Sequence, residues 1–433
     1  MLASNSECRT KYLHVVSIFP ALTETFISRE MRAMRQNGCD VVIGQLRPVG
    51  SRPTAAGFEE LRPCVLPAWR LRRAMSIGLL HFALNDPLRM LTYLRLVVDG
   101  FPDVVSMLKL AYIVLVSVGL AYELRRSGIR HVRAHHFHSE ALSAMIIAGL
   151  LDLPYSFKCY TVKLDFPQRL MLRVARTATF VTADTSQTRE FLLALGVELG
   201  RIYILRNSIS LIECPLRVEE PNTCPPVILA VGRLDYKKGF HVLLGACALL
   251  RNQGQRFRCV IVGDGEQRSR LLELRRELGL DDQVDMVGSM RFSEVRQWYE
   301  RATIMAMPSV VAPDGQTDGL PTVVIEAMAS GVPVVGSCTA GIPEAICNGV
   351  NGFVVPAGSA QDLAYCLKEL LSNKGLRAKF RDEGRRTAER EFDLARNARI
   401  LEGLIRTHAV DYAPEGQASS SKFAVKDNVP SES

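Results

Sequence analysis

Two cations, Arg233 and Lys238, stand in the run Gly232-Arg233-Leu234-Asp235-Tyr236-Lys237-Lys238-Gly239, between a strand pattern at 227–231 and a helical pattern from Phe240. A glycine lets the backbone turn tightly there, and two cations beside a helix N-terminus make a pocket for a diphosphate. Arg233 and Lys238 are therefore the candidate phosphate ligands, against the common case of plain surface charge. A second run, 314–333, is a loop rich in glycine and carboxylate that enters a helix, with Asp318 and Glu326 eight positions apart. A carboxylate accepts two hydroxyl hydrogen bonds at once, so one acid suits a ribose diol and another, with backbone amides, suits the hydroxyls of a sugar. Taken alone, Glu326 reads first as an acid favoured by the dipole at an exposed helix start.

Weaker signals surround these. Gly263-Asp264-Gly265-Glu266 begins like a dinucleotide fingerprint, but Arg268 stands where the third glycine belongs, which leaves a tight turn in the same cleft. His131, His135, His136 and His138 invite a metal, yet no carboxylate joins them at ligand spacing. His136 and His138 are expected on one strand face, and His135 and His138 are candidates for the acceptor side or for structure. Thr23 and Glu24 open the first helix, where amides can meet a diphosphate or an acceptor, or where Thr23 simply caps.

These residues need elements to hold them. Strand signals at 12–18, 41–44, 130–134, 155–160, 180–183 and 201–205 alternate with helical spacing at 25–36 and 139–151, which predicts a first α/β unit over 1–215. Residues 71–126 form a helical insertion in it. From Leu61 to Tyr122 there are seven basic residues against three acidic, so this insertion can lie on an anionic membrane, or consist of core helices with solvated basic faces. Four prolines in 213–226 mark a linker. Strands and helices then alternate over 226–392, which predicts a doubly wound sheet whose ligands sit at the carboxyl ends of its strands. Residues 393–410 have the apolar spacing of a helix that packs elsewhere, and 411–433 have the composition of a disordered tail.

The whole-chain numbers agree with two domains. A chain of 433 residues exceeds one ordinary core, and 48% hydrophobic with 23% charged residues suits globular units. A net charge of +8 is too small to point to nucleic acid and suits anionic small molecules or an acidic lipid surface. Eleven cysteines without a C-x-x-C pair suggest reduced thiols in a cytosol-like compartment. No secretory signal is expected from residues 1–10. No membrane span is expected either, since the longest uncharged apolar stretch, 110–122, is short of the roughly 20 residues a bilayer needs.

In order and spacing, the runs 232–239, 263–265, 284–288, 318–331 and 340–344 resemble the family-four retaining glycosyltransferases of the GT-B fold, over about Tyr12 to Arg406. Asp318 and Glu326 fall on that family's E-x7-E pattern, with Asp in the earlier place. The run 17–30 is similar to the bacterial exopolysaccharide and colanic-acid branch. The resemblance implies two Rossmann-like domains facing across a cleft. It also implies transfer of a hexose-type sugar from a nucleoside diphosphate, with retention and without an obligatory metal, to a lipid-linked or polysaccharide acceptor at the cytoplasmic face of a membrane. By position, Arg233 and Lys238 would neutralise the leaving diphosphate and Glu326 would hold the ribose. Asp318, with the amides of Gly319 and Leu320 beside Pro321, would face the donor sugar, and Gly263 and Gly265 would complete the donor site.

One departure stands out. The family carries T-x-H-x-x-D after the fourth strand, whereas this chain has Tyr160 in the histidine's place and Lys163 in the acid's. A tyrosine hydroxyl bonds a sugar but is a poor base near neutrality. The alternatives are thus a catalytically silent, donor-binding paralogue and, further off, a nucleotide-sugar epimerase, for which no flanking acid–base pair is evident.

Overall fold

The computed structural model describes residues 10–20, 25–47, 59–99, 104–160, 164, 166–217, 219–315, 317, 319–339 and 341–410. Thr23, Glu24, Lys163, Asp318 and the tail 411–433 lie outside them.

The first unit runs β1 (Lys11–Val16), α1 (Thr25–Gln36), β2 (Asp40–Gln45), α2 (Ala68–Asn85), α3 (Pro87–Asp99), α4 (Val104–Leu124), β3 (Ile129–Ala134), α5 (Ser139–Leu151), β4 (Tyr155–Cys159), α6 (Gln168–Thr177), β5 (Phe180–Ala183), α7 (Ser186–Ala194) and β6 (Ile202–Ile204). Its six strands are all parallel, in the order β2-β1-β3-β4-β5-β6. The second unit runs β7 (Val227–Val231), α8 (Phe240–Asn252), β8 (Arg258–Val262), α9 (Arg268–Glu277), β9 (Val284–Gly288), α10 (Phe292–Arg301), β10 (Ile304–Met307), α11 (Thr322–Ala329), β11 (Val334–Ser337), α12 (Ile342–Ala345), β12 (Phe353–Val355), α13 (Ala360–Ser372) and α14 (Lys374–Glu391). Its parallel order, β12-β11-β10-β7-β8-β9, reverses between β7 and β10, which opens a crevice at their carboxyl ends.

The last helix, α15 (Leu394–Val410), returns to the first unit: its Ala398, Leu401 and Ile405 are buried with Tyr12, Ile27, Met31 and Met34 of β1 and α1. The chain therefore passes between the units twice, and the two passages are bonded to each other. Ile209 N–H donates to the Phe392 carbonyl (3.0 Å), and Leu394 N–H donates to the Ile209 carbonyl (3.0 Å).

The two faces of the first sheet differ. One is apolar: Leu13, Val15, Val132, Ala134, Phe157, Cys159 and Val181 share a core with α4, α5 and α6. On the face under α1 and α15 the alternate residues are polar. The strand register sets His14 beside Arg133, Arg133 beside Ser156 and Lys158 beside Thr182, all buried. His14 and His135 share a hydrogen bond (2.8 Å), His131 bonds the Ser156 hydroxyl (2.8 Å), and Arg133 donates to Thr182 Oγ1 (2.7 Å). The carboxylate of Glu30, from α1, lies 3.9 Å from Arg133, 3.8 Å from His135 and 3.7 Å from Lys158. Buried charge is tolerable only when paired, and Glu30 is the acid inserted beside the cations Arg133 and Lys158.

Two expectations change here. His136 and His138 do not share a strand, because β3 ends at Ala134 and both lie in the turn after it, with rings 6.2 Å apart. The helix α4 is also longer than the uncharged run 110–122: it continues through Lys109 to Val104, and its 21 residues meet the length and composition needed to cross a bilayer. In this fold its inner side is core, with Ile113, Val114, Val116 and Val118 buried in the first unit.

The buried histidines set a pH dependence. Burial, aided by neighbouring positive charge, holds His14, His131 and His135 well below the ordinary 6.5. Unfolding releases them to bind protons, so their contribution is complete above the unfolded value and is lost as pH falls below it. Tm is expected to drop as pH is lowered from about 7.5 to about 5.5, with a shallower slope in His131→Gln; a Tm flat over that window in the native chain would contradict the arrangement.

Candidate functional site

A cavity of about 470 Å³ lies between the units. Tyr160, His136, Phe26 and Asp184 line it from the first unit, and Arg233, Lys238 and residues 319–323 from the second. This size is in the range of small-molecule sites. A larger cavity of about 620 Å³ lies to one side of Arg233 and is lined by Tyr236, Glu266 and Asp314, all from the second unit. The smaller one faces both units and holds both candidate cations, so we place the site there.

Local structure explains how the cations arrive. Strand β7 ends at Val231, and the loop after it closes at Gly239, whose φ is +67° and where a Cβ would lie 1.8 Å from the Pro308 carbonyl oxygen. Only glycine fits so close to the end of β10. The stem of Lys238 runs over Gly232, since a Cβ on that glycine would sit 3.4 Å from Lys238 Cδ and Cε. Arg233 is 57% exposed and pairs with Asp235 at 2.9 Å, so its guanidinium stands at the cavity mouth. The start of α11 borders the same space, with Thr322 and Val323 in the lining, and the first amides of a helix have no partner within it.

Across the cavity the units touch closely. A Cβ on Gly319 would be 3.1 Å from Asp184 Oδ2 at the end of β5, and one on Gly341 would be 2.8 Å from Leu320 and from Thr185. Burial raises the pKa of Asp184, opposed by the Thr188 hydroxyl that donates to it at 2.8 Å and by Lys158. Tyr160 packs edge-on to Phe26 (5.1 Å) and under the Lys158 ammonium (5.1 Å), as part of an aromatic wall beside His136.

Several candidates sit elsewhere. Glu326 is on neither an exposed helix start nor the cavity lining: it is buried, with Oε1 3.0 Å from Arg29 of α1 and Oε2 accepting from the Tyr299 hydroxyl at 3.0 Å. The reason is position, because the second turn of α11 points into the junction with α1 and α10. Burial opposes the charge on Arg29, but Glu326 and Glu213 outweigh it and its pKa is raised. His135 is fully buried against His14 and cannot reach an acceptor; His138, just before α5, is outside the cavity lining. Gly263 and Gly265 brace the first loop instead of lining the cavity. A Cβ on Gly263 would meet the Gly232 carbonyl oxygen at 1.8 Å, and one on Gly265 the Leu234 carbonyl oxygen at 2.6 Å. Leu320 and Pro321 do line it, with Gly319.

Comparison with known proteins adds a family. Residues 216–387 match the model described as glycosyl transferases group 1. That match takes in 172 of the 433 residues, most of the second unit. The amylovoran biosynthesis glycosyltransferase AmsK of Erwinia amylovora is 37% identical over 179 residues, 41% of this chain and 44% of that protein. The putative colanic acid biosynthesis glycosyltransferase WcaL of Escherichia coli K12 is 37% identical over 174 residues, 40% of this chain and 43% of that one. The chain thus spans less than half the length of these relatives. Among solved structures, HepE of Anabaena, crystallised with UDP, superposes with a TM-score of 0.69 over 92% of this chain and 100% of its own, at 16% identity. Sucrose-phosphate synthase from Thermosynechococcus elongatus gives 0.70 over 93% and 100%, at 15% identity. At such identities the likeness establishes the fold, which is GT-B across both units.

The second unit meets the first through side chains whose partners the sequence does not reveal. Arg29 carries no local signal, since its partner is 297 positions away. Glu344 accepts from the Ser186 amide (2.6 Å) and from Arg206 (3.2 Å), a second polar contact between the units. Asp184 ends a strand whose Thr182 is already polar on the covered face, which was a legible hint. Breaking a buried pair on one side leaves an uncompensated charge at a cost on the order of 3–5 kcal/mol. Arg29→Met is therefore expected to lower Tm by several degrees in calorimetry, and the double variant Arg29→Met/Glu326→Gln to recover part of the loss; equal Tm in Arg29→Met and the native chain would mean that the pair contributes nothing.

Proposed function

We propose that the chain is a retaining glycosyltransferase that moves a hexose-type sugar from a nucleoside diphosphate to a lipid-linked or polysaccharide acceptor. The second unit, 226–392, holds the donor, and the first, 1–215, takes the acceptor. One observation carries this reading: Arg233, Lys238 and the first residues of α11 line a cavity whose opposite wall is Tyr160, His136 and Asp184. AmsK and WcaL act in polymer biosynthesis by their names, and HepE was crystallised with UDP, which supports the same class.

The chemistry follows from charge. As the bond from the anomeric carbon to the diphosphate breaks, negative charge grows on the departing oxygen, and fixed cations in a closed cleft stabilise that state more than the ground state. Lys238 and Arg233 fill this role without a metal ion. The amides of Gly319 and Leu320, both in the cavity lining, serve the sugar, and Asp318 is the acid that the sequence pattern assigns to it. Glu326 has an obstacle to clear: to hold a ribose diol it must exchange Arg29 for the two hydroxyls. Donor binding is thereby coupled to the spacing of the units, which open to admit the nucleotide and close on it. Ten free cysteines among the described residues suit a cytosolic setting.

A second reading, a silent donor-binding paralogue, is favoured by Tyr160, which stands in an aromatic wall where the family has a histidine. Steady sugar transfer to an acceptor, abolished in Glu326→Ala, would dispose of it.

Calorimetric titration with UDP, GDP and their sugars tests the donor site: binding by at least one is expected, weakened by about tenfold or more in Lys238→Ala, which loses a charge-assisted contact. No binding to any of them would remove the reading. Saturating donor is expected to shrink the radius of gyration in solution scattering, and superimposable profiles would count against closure.

A further inference from the structure

The outer face of the helical insertion is not a solvated basic surface. Among the described residues, eleven of the twenty large hydrophobic side chains that remain exposed fall between Trp69 and Tyr112, on α2, α3 and α4. Trp69 is 66% exposed, Leu84 73%, Leu88 78% and Leu108 66%. Soluble surfaces scatter such residues singly; gathered on one subassembly, they mark a contact surface.

The geometry of α2 shows why they gather. At 3.6 residues per turn, Trp69, Ile77, Leu80 and Leu84 fall within an arc of about 80°. The opposite side of α2 carries Ala74, Gly78 and Phe82, all buried. That side is locked onto α4, where a Cβ on Gly78 would meet Tyr122 at 2.9 Å and one on Gly119 would meet Met75 at 2.8 Å. The inner face of α2 is therefore committed to the fold, and the apolar outer arc is left over.

Charge selects the occupant. The helices α2 to α4 carry six basic residues (Arg70, Arg72, Arg73, Arg89, Arg95, Lys109) against two acidic (Asp99, Glu123), and α2 has no acid at all. Arg89 is turned inward to Asp86, Asp152 and the Gly149 carbonyl, and Arg70 pairs with Glu123. Arg72, Arg73, Arg95 and Lys109 are exposed and have no acidic partner among the described residues. Arg70 lies about 20° beyond one edge of the apolar arc, Arg72 about 60° beyond the other, and Arg73 within it. Leucines inside a frame of long cations suit an anionic bilayer: the leucines enter the acyl boundary while the cations reach lipid phosphates.

We propose that the exposed face of α2, α3 and α4 docks on an anionic lipid surface, with Leu80, Leu84 and Leu88 inserted and Arg72 and Arg73 on the headgroups. This does not rest on the donor-site reading.

The chain has two tryptophans, and Trp69 lies on this face. In a Trp298→Phe background, its emission is therefore a local probe. Mixing with vesicles of phosphatidylglycerol and phosphatidylethanolamine is expected to shift that emission to the blue and to sediment the protein. Vesicles of phosphatidylcholine alone should bind about tenfold or more weakly. Leu80→Glu/Leu84→Glu is expected to lose sedimentation while keeping the native Tm, since both side chains are outside the core. The proposal is overturned if the emission and the sedimentation ignore anionic vesicles, or if the two lipids bind equally. It is also overturned if light scattering without lipid gives a dimer that the Leu80→Glu/Leu84→Glu variant dissolves, because the face then belongs to a second copy of the chain.

Discussion

Charge taken out of water must find a partner, and two adjacent residues of α1 meet that demand in opposite directions. Arg29 reaches across to Glu326 of the second unit, and Glu30 turns back among Arg133, His135 and Lys158 of the first. Neither residue can shift without leaving charge stranded on one side. The helix that bears them is itself held by apolar packing beneath α15. The position of the second unit is thus tied to the polar face of the first sheet through one turn of helix.

That polar face has a cost in packing that the rest of the unit offsets. Its other side is a continuous apolar layer with α4, α5 and α6, so the sheet is stabilised from one side and carries buried polar groups on the other. Lys158 and Asp184 sit where the two roles meet, at the carboxyl ends of β4 and β5 beside the cavity. Burial lowers the pKa of the lysine and raises that of the aspartate, and each charge opposes the shift of the other. The second unit has no comparable polar face. Its strands are apolar on both sides, and its chemistry is confined to the loops.

The fold was legible because strand and helix periods are local. The alternation over 226–392 follows from apolar runs punctuated by glycine and proline, and the loop 232–239 follows a strand end, so Arg233 and Lys238 were found by position alone. What escaped were pairings over long distances and the polar alternation of buried strands. Glu326 looked like a free acid because Arg29 is nearly three hundred residues away. His135 looked accessible because a histidine at a strand end carries no mark of the helix that covers it. The polar alternation His131, Arg133, His135 with Ser156, Lys158 was in the sequence as a two-residue period, but it reads as a solvent face until the covering α1 and α15 are known. The leucines of α2 to α4 fitted a core or a membrane surface equally in pattern, because apolar spacing does not say which side of a helix finds a neighbour.

The two passages of chain between the units, joined by hydrogen bonds at Ile209 and at Phe392 and Leu394, have a mechanical consequence. A single tether would let one body tumble about the other through any angle. Two strands stitched side by side behave as a strap hinge, stiff to twisting and to sliding, compliant to folding about one line. Any movement of one body against the other is then reduced nearly to a single degree of freedom.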